Sequence, residues 1–292
     1  MIALGKTEGG ELISVPVGVR AVLLAGTSGG GKTTLVTGFV ERLLAQSYQC
    51  CILDPEGDYE GIAGAISLGG AGRTPNLDQI AEAVKAGGNV VISLLAVPQA
   101  DRPTYAQRVF ARINDVHVSV GRPHWLFVDE AHHALPVPSN TLAPIDFGPS
   151  VFLITTRPEL IAPSALASVE VVIAVGDDPG GTISSTRTIL GETEPASEIT
   201  LDHAHTGTAV VWKRSAPEQQ LVIATASPTG ERRRHIRKYA EGELAPEKSF
   251  YFKGPENKQN LRAQNLMTFI ALADGIDDET WLHHLKQHDY SN

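Results

Sequence analysis

The chain contains Gly-Thr-Ser-Gly-Gly-Gly-Lys-Thr-Thr at residues 26–34. This stretch, together with the segments before and after it, determines the fold. Five apolar residues at positions 21–25 precede it, and Leu35, Phe39 and Leu43 follow at helical spacing. A strand, a glycine-rich loop and a helix in this order match the phosphate-binding loop G-x-x-x-x-G-K-[ST], whose backbone N–H groups point at phosphates. The sequence therefore predicts a nucleoside triphosphate site.

The residue types in this loop predict the individual contacts. Lys32 is expected to reach the β- and γ-phosphates, Thr33 to place its hydroxyl on Mg²⁺, and Thr34 to lie near the α-phosphate. The positive end of the helix dipole adds to the attraction for phosphate. The predicted ATP-binding residues are Gly26, Thr27, Ser28, Gly29, Gly30, Gly31, Lys32, Thr33 and Thr34.

The composition limits the class of protein. The chain has 292 residues, 42% hydrophobic and 20% charged, which fits one large globular domain with a small appendage at most. Its apolar runs are strand-sized and no leader precedes the first strand, so we expect a soluble cytoplasmic protein without a membrane segment. The adjacent Cys50 and Cys51 suit a buried strand rather than a disulfide. The net charge of −9 argues against a surface that coats nucleic acid broadly, but allows a local basic channel.

Strands and helices alternate along most of the chain. Helix-like stretches at 76–86 and 103–120 lie between the earlier strands. Strand-like runs occur at 20–25, 49–53, 89–95, 124–129, 151–155 and 170–176. This alternation predicts an α/β fold with a mostly parallel sheet covered by helices on both faces.

Two hairpins and a tail complete the predicted organisation. Segments 2–4 and 11–15 predict a lead-in hairpin within residues 1–18, and 208–213 with 220–224 predict an antiparallel hairpin at the sheet edge, turning at 215–218. The predicted domain with the phosphate-binding loop spans 1–226. Residues 227–292 are expected to form a basic connector and a small, mainly helical C-terminal tail, with helices at 260–273 and 278–288.

A second motif ends the strand at 124–129 with two carboxylates, Asp129 and Glu130. Asp129 is expected to hold Mg²⁺ and Glu130 to orient and polarise the attacking water, because phosphoryl transfer is catalysed mainly by positioning and charge. Residues 129–132, Asp-Glu-Ala-His, also match the box of one helicase superfamily, but that class needs a second nucleotide-clamping domain. We expect His132 and the following His133 either to support the residues of the site from behind or to lie at its rim, rather than to bind a metal.

A third motif is the polar tip of the strand at 151–155. In nucleotidases of the additional-strand class this strand inserts between the strand of the phosphate-binding loop and the strand of Asp129. Thr156 and Arg157 are therefore expected to sense the γ-phosphate, although Arg157 also suits a surface charge at a helix start. Residues 54–59, Asp-Pro-Glu-Gly-Asp-Tyr, end the second strand on the same edge, where open α/β sheets bind ligands.

Together these segments resemble the HerA/FtsK group of P-loop ATPases, and HerA-like proteins of the catalytic-glutamate class in particular. The resemblance covers residues 1–226 and is carried by the lead-in hairpin with Arg20 and by segments 54–59, 129–132 and 155–176. It implies a RecA-like three-layer sandwich, Mg²⁺-dependent ATP hydrolysis between subunits, and usually a hexameric ring that translocates nucleic acid. It also implies that Arg20 acts in trans on the ATP of a neighbouring subunit.

The chain departs from that family in several respects. Thr156 stands where the family commonly has a glutamine before its Arg-Pro. The N-terminal barrel of HerA translocases and the DNA-reading module of FtsK have no counterpart. The tail after Gly242 resembles chains in which such a block follows a haloacid-dehalogenase-type phosphatase, which suggests an excised domain. The D-x-D signature of that phosphatase is missing near the start, so its activity is not expected here.

Two features of the tail each allow more than one interpretation. Residues 232–238, Arg-Arg-Arg-His-Ile-Arg-Lys, would follow a phosphate backbone, supply the arginine that acts in trans, or solvate a connecting helix. His283, His284 and His288 are expected at a solvated helix end rather than in a zinc site, since no cysteine or further ligand is nearby in sequence.

The motifs leave three classes of function open. The first is a ring-forming ATPase motor on nucleic acid, possible partners being DNA and further copies of the chain. The second is a nucleotide-gated regulatory ATPase module that controls an attached or partner enzyme. The third, a P-loop small-molecule kinase, is disfavoured by the pair Asp129 and Glu130 and by the lack of an arginine-rich lid.

Overall fold

A computed structural model describes residues 1–137, 147–192, 207–229, 249–255, 258–273 and 275–287. The chain divides into two compact units, Met1–Thr229 and Gly230–Asn292. The basic run at 232–238 and His288 lie outside the described residues. Within the described ranges, no helix has the length and apolar character needed to cross a membrane.

The described part of the first unit is built on one sheet of eleven strands. The strands are β1 Ile2–Lys6, β2 Leu12–Val15, β3 Ala21–Gly26, β4 Cys50–Asp54, β5 Ala65–Gly69, β6 Asn89–Ser93, β7 Trp125–Val128, β8 Ser150–Thr155, β9 Val169–Val175, β10 Thr208–Lys213 and β11 Ala216–Thr225. Their order is β2-β1-β11-β10-β9-β3-β8-β7-β4-β6-β5. The seven strands from β9 to β5 are parallel, which confirms the predicted α/β fold.

Strand β8 lies between β3 and β7 in this order. Ala25 of β3 pairs with Thr155 of β8, and Val128 of β7 pairs with Leu153. The ends of these three strands therefore meet at the carboxyl edge of the sheet, the edge at which the parallel strands end. This is the strand order expected for the additional-strand class.

Helices cover both faces of the sheet. They are α1 Lys32–Ala45, α2 Leu77–Lys85, α3 Arg102–Val120, α4 Ala131–Ala134, α5 Pro163–Leu166 and α6 Pro179–Ile189, with 3-10 turns at Gln99–Asp101 and Pro158–Leu160. Helix α1 packs on one face, and the others pack on the opposite face. The ring of Phe39 in α1 lies 5.3 Å from Trp125 and 5.1 Å from Phe152, so aromatic contacts hold this helix against β7 and β8.

The antiparallel part of the sheet is larger than the sequence predicts. Strand β11 begins at Ala216, so the turn after β10 lies at residues 214–215 and not at 215–218. The lead-in hairpin continues the same sheet, because Gly5 of β1 pairs with Thr225 of β11. The two hairpins thus add four strands beside β9 rather than two. The described Cys50 and Cys51 are buried free thiols, as predicted.

The second unit has a small core of its own. Strand β12 Phe250–Phe252 pairs antiparallel with β13 Leu261–Ala263, and α7 Leu266–Ala273 and α8 Asp278–Gln287 follow. The helix predicted over 260–273 is therefore wrong at the residues of β13. Phe252 stacks on Phe269 at 5.1 Å, and His284 Nε2 accepts a hydrogen bond from the Lys253 N–H at 3.1 Å. His284 is buried, so the predicted solvated helix end is also wrong at this residue.

Candidate nucleotide-binding site

The glycine-rich loop leaves β3 at Gly26 and enters α1 at Lys32. A Cβ atom on Gly26 would lie 2.1 Å from the Val175 carbonyl oxygen, so a larger residue would push β3 away from β9. Gly31 has φ 95°, a left-handed conformation that glycine adopts without a steric penalty. These two glycines hold the loop close to the sheet and turn its backbone into the helix.

Lys32 lies inside this loop, with only 8% of its surface exposed. Its Nζ donates hydrogen bonds to the Gly26 carbonyl at 3.0 Å and to the Thr27 carbonyl at 2.9 Å. Burial lowers the pKa of Lys32, while the charges of Glu130 and Asp129 raise it. The two motifs that the sequence singles out therefore lie within electrostatic reach of each other. Thr33 and Thr34 follow in the first turn of α1.

Asp129 and Glu130 stand where β7 ends. Asp129 is 7% exposed, and its N–H donates to the Leu53 carbonyl at 3.1 Å. Burial raises the pKa of Asp129 well above its ordinary range, and the charges of Glu130 and Asp54 raise it further. Burial also raises the pKa of Glu130, whereas the positive charge of Lys32 lowers it. Glu130 has φ 41° and ψ 53°, so its left-handed backbone turns the chain into α4.

Asp54, the first residue of the segment 54–59, holds a loop at the same edge. Its Oδ1 accepts N–H hydrogen bonds from Gly57 at 2.7 Å, Asp58 at 3.1 Å and Glu56 at 3.3 Å, and its Oδ2 accepts one from Tyr59 at 3.0 Å. Burial raises the pKa of Asp54, and these backbone bonds lower it. Because both oxygens serve the loop backbone, the geometry gives Asp54 a structural role.

The tip of β8 differs in detail from the prediction. Thr156 is half-buried and Arg157 is exposed, whereas Thr155 is fully buried. The Thr155 hydroxyl accepts the Arg157 N–H at 2.9 Å and lies 3.0 Å from His132 Nδ1. His132 Nδ1 in turn lies 3.3 Å from Glu130 Oε2. The inward-facing polar groups here are therefore Thr155, where the sequence predicts Thr156 and Arg157, and His132, which the sequence predicts only as a supporting or rim residue.

Arg20 lies at the opposite edge of the sheet, where β3 begins. Its side chain is 70% exposed, and its Nε donates to Glu170 Oε1 at 2.8 Å. Strand β3 rises roughly 3.3 Å per residue, so its two ends are about 20 Å apart. Arg20 therefore does not contact the loop of its own chain.

The oxygen donors at the loop fit Mg²⁺. Within the ranges that the structure describes, no group of three or more His, Cys, Asp or Glu side chains could hold a metal ion by itself. Mg²⁺ usually takes one or two protein oxygens together with substrate phosphates and water. The Thr33 hydroxyl and the Asp129 carboxylate supply such oxygens. Burial is the main cause of the raised pKa values of Asp129 and Glu130, and neighbouring carboxylates add to it in both cases. This local excess of negative charge is one that a cation would relieve.

Comparisons with known proteins bear on the fold. No protein-family model and no curated protein matches this sequence. The genome-packaging NTPase B204 from Sulfolobus turreted icosahedral virus 2, solved with ATP-gammaS, matches with TM-score 0.50 and 15% identity over 70% of this chain and 96% of that chain.

Two further solved structures give similar values. VirB4 of Thermoanaerobacter pseudethanolicus matches with TM-score 0.56 and 12% identity, over 78% of this chain and 97% of that chain. The DNA-packaging ATPase B204 from Sulfolobus Turreted Icosahedral Virus matches with TM-score 0.50 and 16% identity, over 72% and 98%. This chain therefore has the α/β P-loop fold that these proteins share.

Proposed function

We propose that this chain binds ATP with Mg²⁺ at residues 26–34, hydrolyses it, and works as a HerA-like, ring-forming motor on nucleic acid. One observation carries the proposal of hydrolysis: Lys32, Asp129 and Glu130 meet at one edge of the sheet, close enough that the carboxylates alter the pKa of Lys32. The fold shared with B204, an NTPase solved with ATP-gammaS, supports it.

Each residue has a physical role in this proposal. Lys32 Nζ would exchange the Gly26 and Thr27 carbonyls for β- and γ-phosphate oxygens, which are stronger partners for an ammonium group. Mg²⁺, held by Thr33 and Asp129, would neutralise phosphate charge. Glu130 would orient and polarise the attacking water, and its raised pKa makes the carboxylate a better proton acceptor. Arg157 and Thr156 would contact the γ-phosphate from the tip of β8.

A motor of this kind requires nucleic acid and further copies of the chain as partners. B204 is described as a DNA-packaging ATPase, which supports DNA as the nucleic acid. The resemblance to the HerA/FtsK group implies a homo-oligomer, such as a hexamer, as the working form. Arg20 is exposed at the edge opposite the loop, a position from which it would reach only the ATP of a neighbouring copy. A ring would therefore complete each site with an arginine in trans.

ATP turnover measured with and without DNA, together with the mass in solution, tests the proposal. We expect turnover to increase with DNA under conditions where the chain assembles. Lys32→Ala should lose affinity for ATP, since it removes the phosphate contact. Turnover that DNA does not change, from a chain that stays monomeric at all concentrations, would overturn the motor and leave ATP hydrolysis standing.

A second candidate, the regulatory ATPase module, is favoured by one set of contacts. Glu41 of α1 accepts hydrogen bonds from the Thr229 N–H at 2.6 Å and from its hydroxyl at 2.8 Å. Arg42 Nη1 donates to the Ala226 carbonyl at 3.3 Å. The helix that begins at the phosphate loop thus holds the last residues of the first unit. This candidate predicts tight nucleotide binding, slow turnover and no affinity for nucleic acid. The phosphatase-linked parent chain and the small-molecule kinase stay predictions.

A further inference from the structure

A chain of polar contacts joins the ends of β7 and β8. His132 Nδ1 lies 3.3 Å from Glu130 Oε2 on one side and 3.0 Å from Thr155 Oγ1 on the other. Glu130 Oε2 is buried and has no well-aligned hydrogen-bond donor among the described residues. Thr155 is completely buried, and His132 is nearly so. Three polar side chains at two neighbouring strand ends therefore meet where Glu130 Oε2 is buried, while 20% of the Glu130 side chain stays exposed.

We propose that His132, itself held by the Thr155 hydroxyl, is the positioning residue that sets the orientation of the Glu130 carboxylate. The inference rests on the proposed function, in which Glu130 orients the attacking water. A carboxylate that accepts a proton from water must be held in one orientation, because small displacements of a reacting group cost large factors in rate. His132 Nδ1 lies 3.3 Å from Oε2 and can carry a proton that faces it.

The hydrogen bonds available to His132 explain how it would orient the Glu130 carboxylate. Thr155 Oγ1 accepts the Arg157 N–H at 2.9 Å, and its second lone pair can accept a proton from His132 Nδ1 at 3.0 Å. With the proton on Nδ1, this N–H lies between Thr155 Oγ1 and Glu130 Oε2, which is 3.3 Å away. Thr155 then holds the ring in the orientation in which the same N–H faces Glu130.

The position of Thr155 connects the orientation of His132 to the phosphate site. Thr155 pairs with Ala25, the residue before the glycine-rich loop, and its hydroxyl is bonded to the backbone of the exposed Arg157. A phosphate group drawing Arg157 towards the loop would shift that backbone N–H and reorient the hydroxyl. The tip of β8 would then act on Glu130 through His132 instead of contacting the water itself.

Simple packing is the alternative explanation for a buried histidine. The His132 ring lies 4.1 Å from the ring of His133, and an apolar side chain of similar volume would fill the same space. The two explanations differ in what His132→Leu and His132→Asn should do. Leucine keeps the volume and removes the polar contact, whereas asparagine keeps an amide N–H close to the position of Nδ1.

The test is steady-state ATP turnover with nucleotide affinity measured separately, on His132→Leu, His132→Asn, Thr155→Val and Thr155→Ser. We expect the Leu and Val variants to lose about 10-fold in kcat at an unchanged KM, because only a contact used in the transition state is removed. The Asn and Ser variants should stay within roughly 3-fold of the parent, since they keep the polar group. The double variant of Leu and Val should lose no more than either single one, because Thr155 acts on Glu130 only through His132.

Glu130→Gln separates failure of this inference from failure of the proposed function. If Glu130→Gln keeps normal turnover, the role of Glu130 itself is wrong. If Glu130→Gln is inactive while His132→Leu and Thr155→Val turn over normally, only the positioning role is overturned. A larger loss in His132→Asn than in His132→Leu would also overturn it, in favour of packing. Should the His132 variants not fold, the pair Thr155→Val and Thr155→Ser decides the question, since valine keeps the shape of threonine.

Discussion

The two ends of strand β3 carry charges in very different surroundings. At the carboxyl end, Lys32, Asp129 and Glu130 are withdrawn from water, and each has a displaced pKa. At the amino end, Arg20 and Glu170 form an ion pair at 2.8 Å with side chains that are 70% and 38% exposed. Water screens the amino-end pair, which is worth about 0–1 kcal/mol, whereas buried charges interact strongly with one another. Substitutions at the two ends should therefore differ in kind as well as in size.

The largest effect is expected at Glu130. Glu130→Gln keeps the size of the side chain, but its amide replaces the carboxylate and cannot accept a proton, so we expect at least ~10²-fold slower ATP turnover. ATP affinity should stay close to that of the parent, because Lys32 and the loop are unchanged. Turnover assays and equilibrium nucleotide binding check the two parts separately. Near-normal turnover of Glu130→Gln would show that Glu130 has no catalytic role, so that the two ends of β3 would not differ in this respect.

A large effect on stability is expected at Asp54, on the same carboxyl edge. Asp54→Ala leaves four buried or half-buried backbone N–H groups without their acceptor, so we expect a loss of about 2 kcal/mol in the free energy of unfolding. Denaturant unfolding measures it. Asp115→Ala, at an exposed position of α3, is the matched control and should change the free energy of unfolding by less than ~0.5 kcal/mol. Equal effects at both positions would show that the Asp54 loop does not depend on its carboxylate.

Asp129→Asn should stabilise the chain at neutral pH while abolishing its proposed metal contact. The pKa of Asp129 is raised on folding, so the folded chain holds this proton more tightly than the unfolded chain does. The ionised form therefore lowers stability as pH rises from about 4 towards the raised pKa, and we expect a gain of about 1 kcal/mol for the variant at pH 8.

The pH dependence is the control for that prediction. Thermal melting of both chains without nucleotide should show a gap of about 2–4 °C at pH 8 that shrinks as the pH falls towards 4. A gap that is the same at every pH would mean that packing, and not charge, separates the two chains.

The smallest stability effect is expected at the amino end. Arg20→Ala removes only an exposed ion pair, so the free energy of unfolding should change by less than ~0.5 kcal/mol. The proposed role in trans predicts that ATP turnover falls nevertheless, and only at protein concentrations where the chain assembles. Turnover equal to that of the parent in the assembled state would remove Arg20 from the site and leave the amino end without a function in hydrolysis.

Much of the fold could be predicted because its signals are local. The glycine-rich loop, the apolar strand before it and the helical spacing after it lie within one stretch of sequence, and the buried parallel strands are continuous apolar runs. Strand β5 was missed because Ala65–Gly69 lies at the sheet edge, with most of its side chains facing water. Strand β13 was predicted as helix because three residues next to a true helix carry too little pattern to separate the two.

The site was predictable where chemistry and sequence are adjacent, as at Asp129 and Glu130. The site was not predictable where membership depends on the direction in which a side chain points. Neighbouring strand residues point to opposite faces, so sequence alone does not say whether Thr155 or Thr156 faces inward. His132 reaches Glu130 because the backbone of Glu130 turns sharply. No sequence pattern predicts a left-handed backbone conformation at a glutamate.

That left-handed backbone, with φ 41°, has a consequence for anyone who selects variants of this chain. Glycine and asparagine adopt this conformation more readily than glutamate, by about 1 kcal/mol for glycine. A library screened for heat resistance alone should therefore enrich Glu130→Gly and Glu130→Asn, together with Asp129→Asn. A library screened for phosphate release should reject all three. The two selections, run side by side, would locate the hydrolytic centre without any structure.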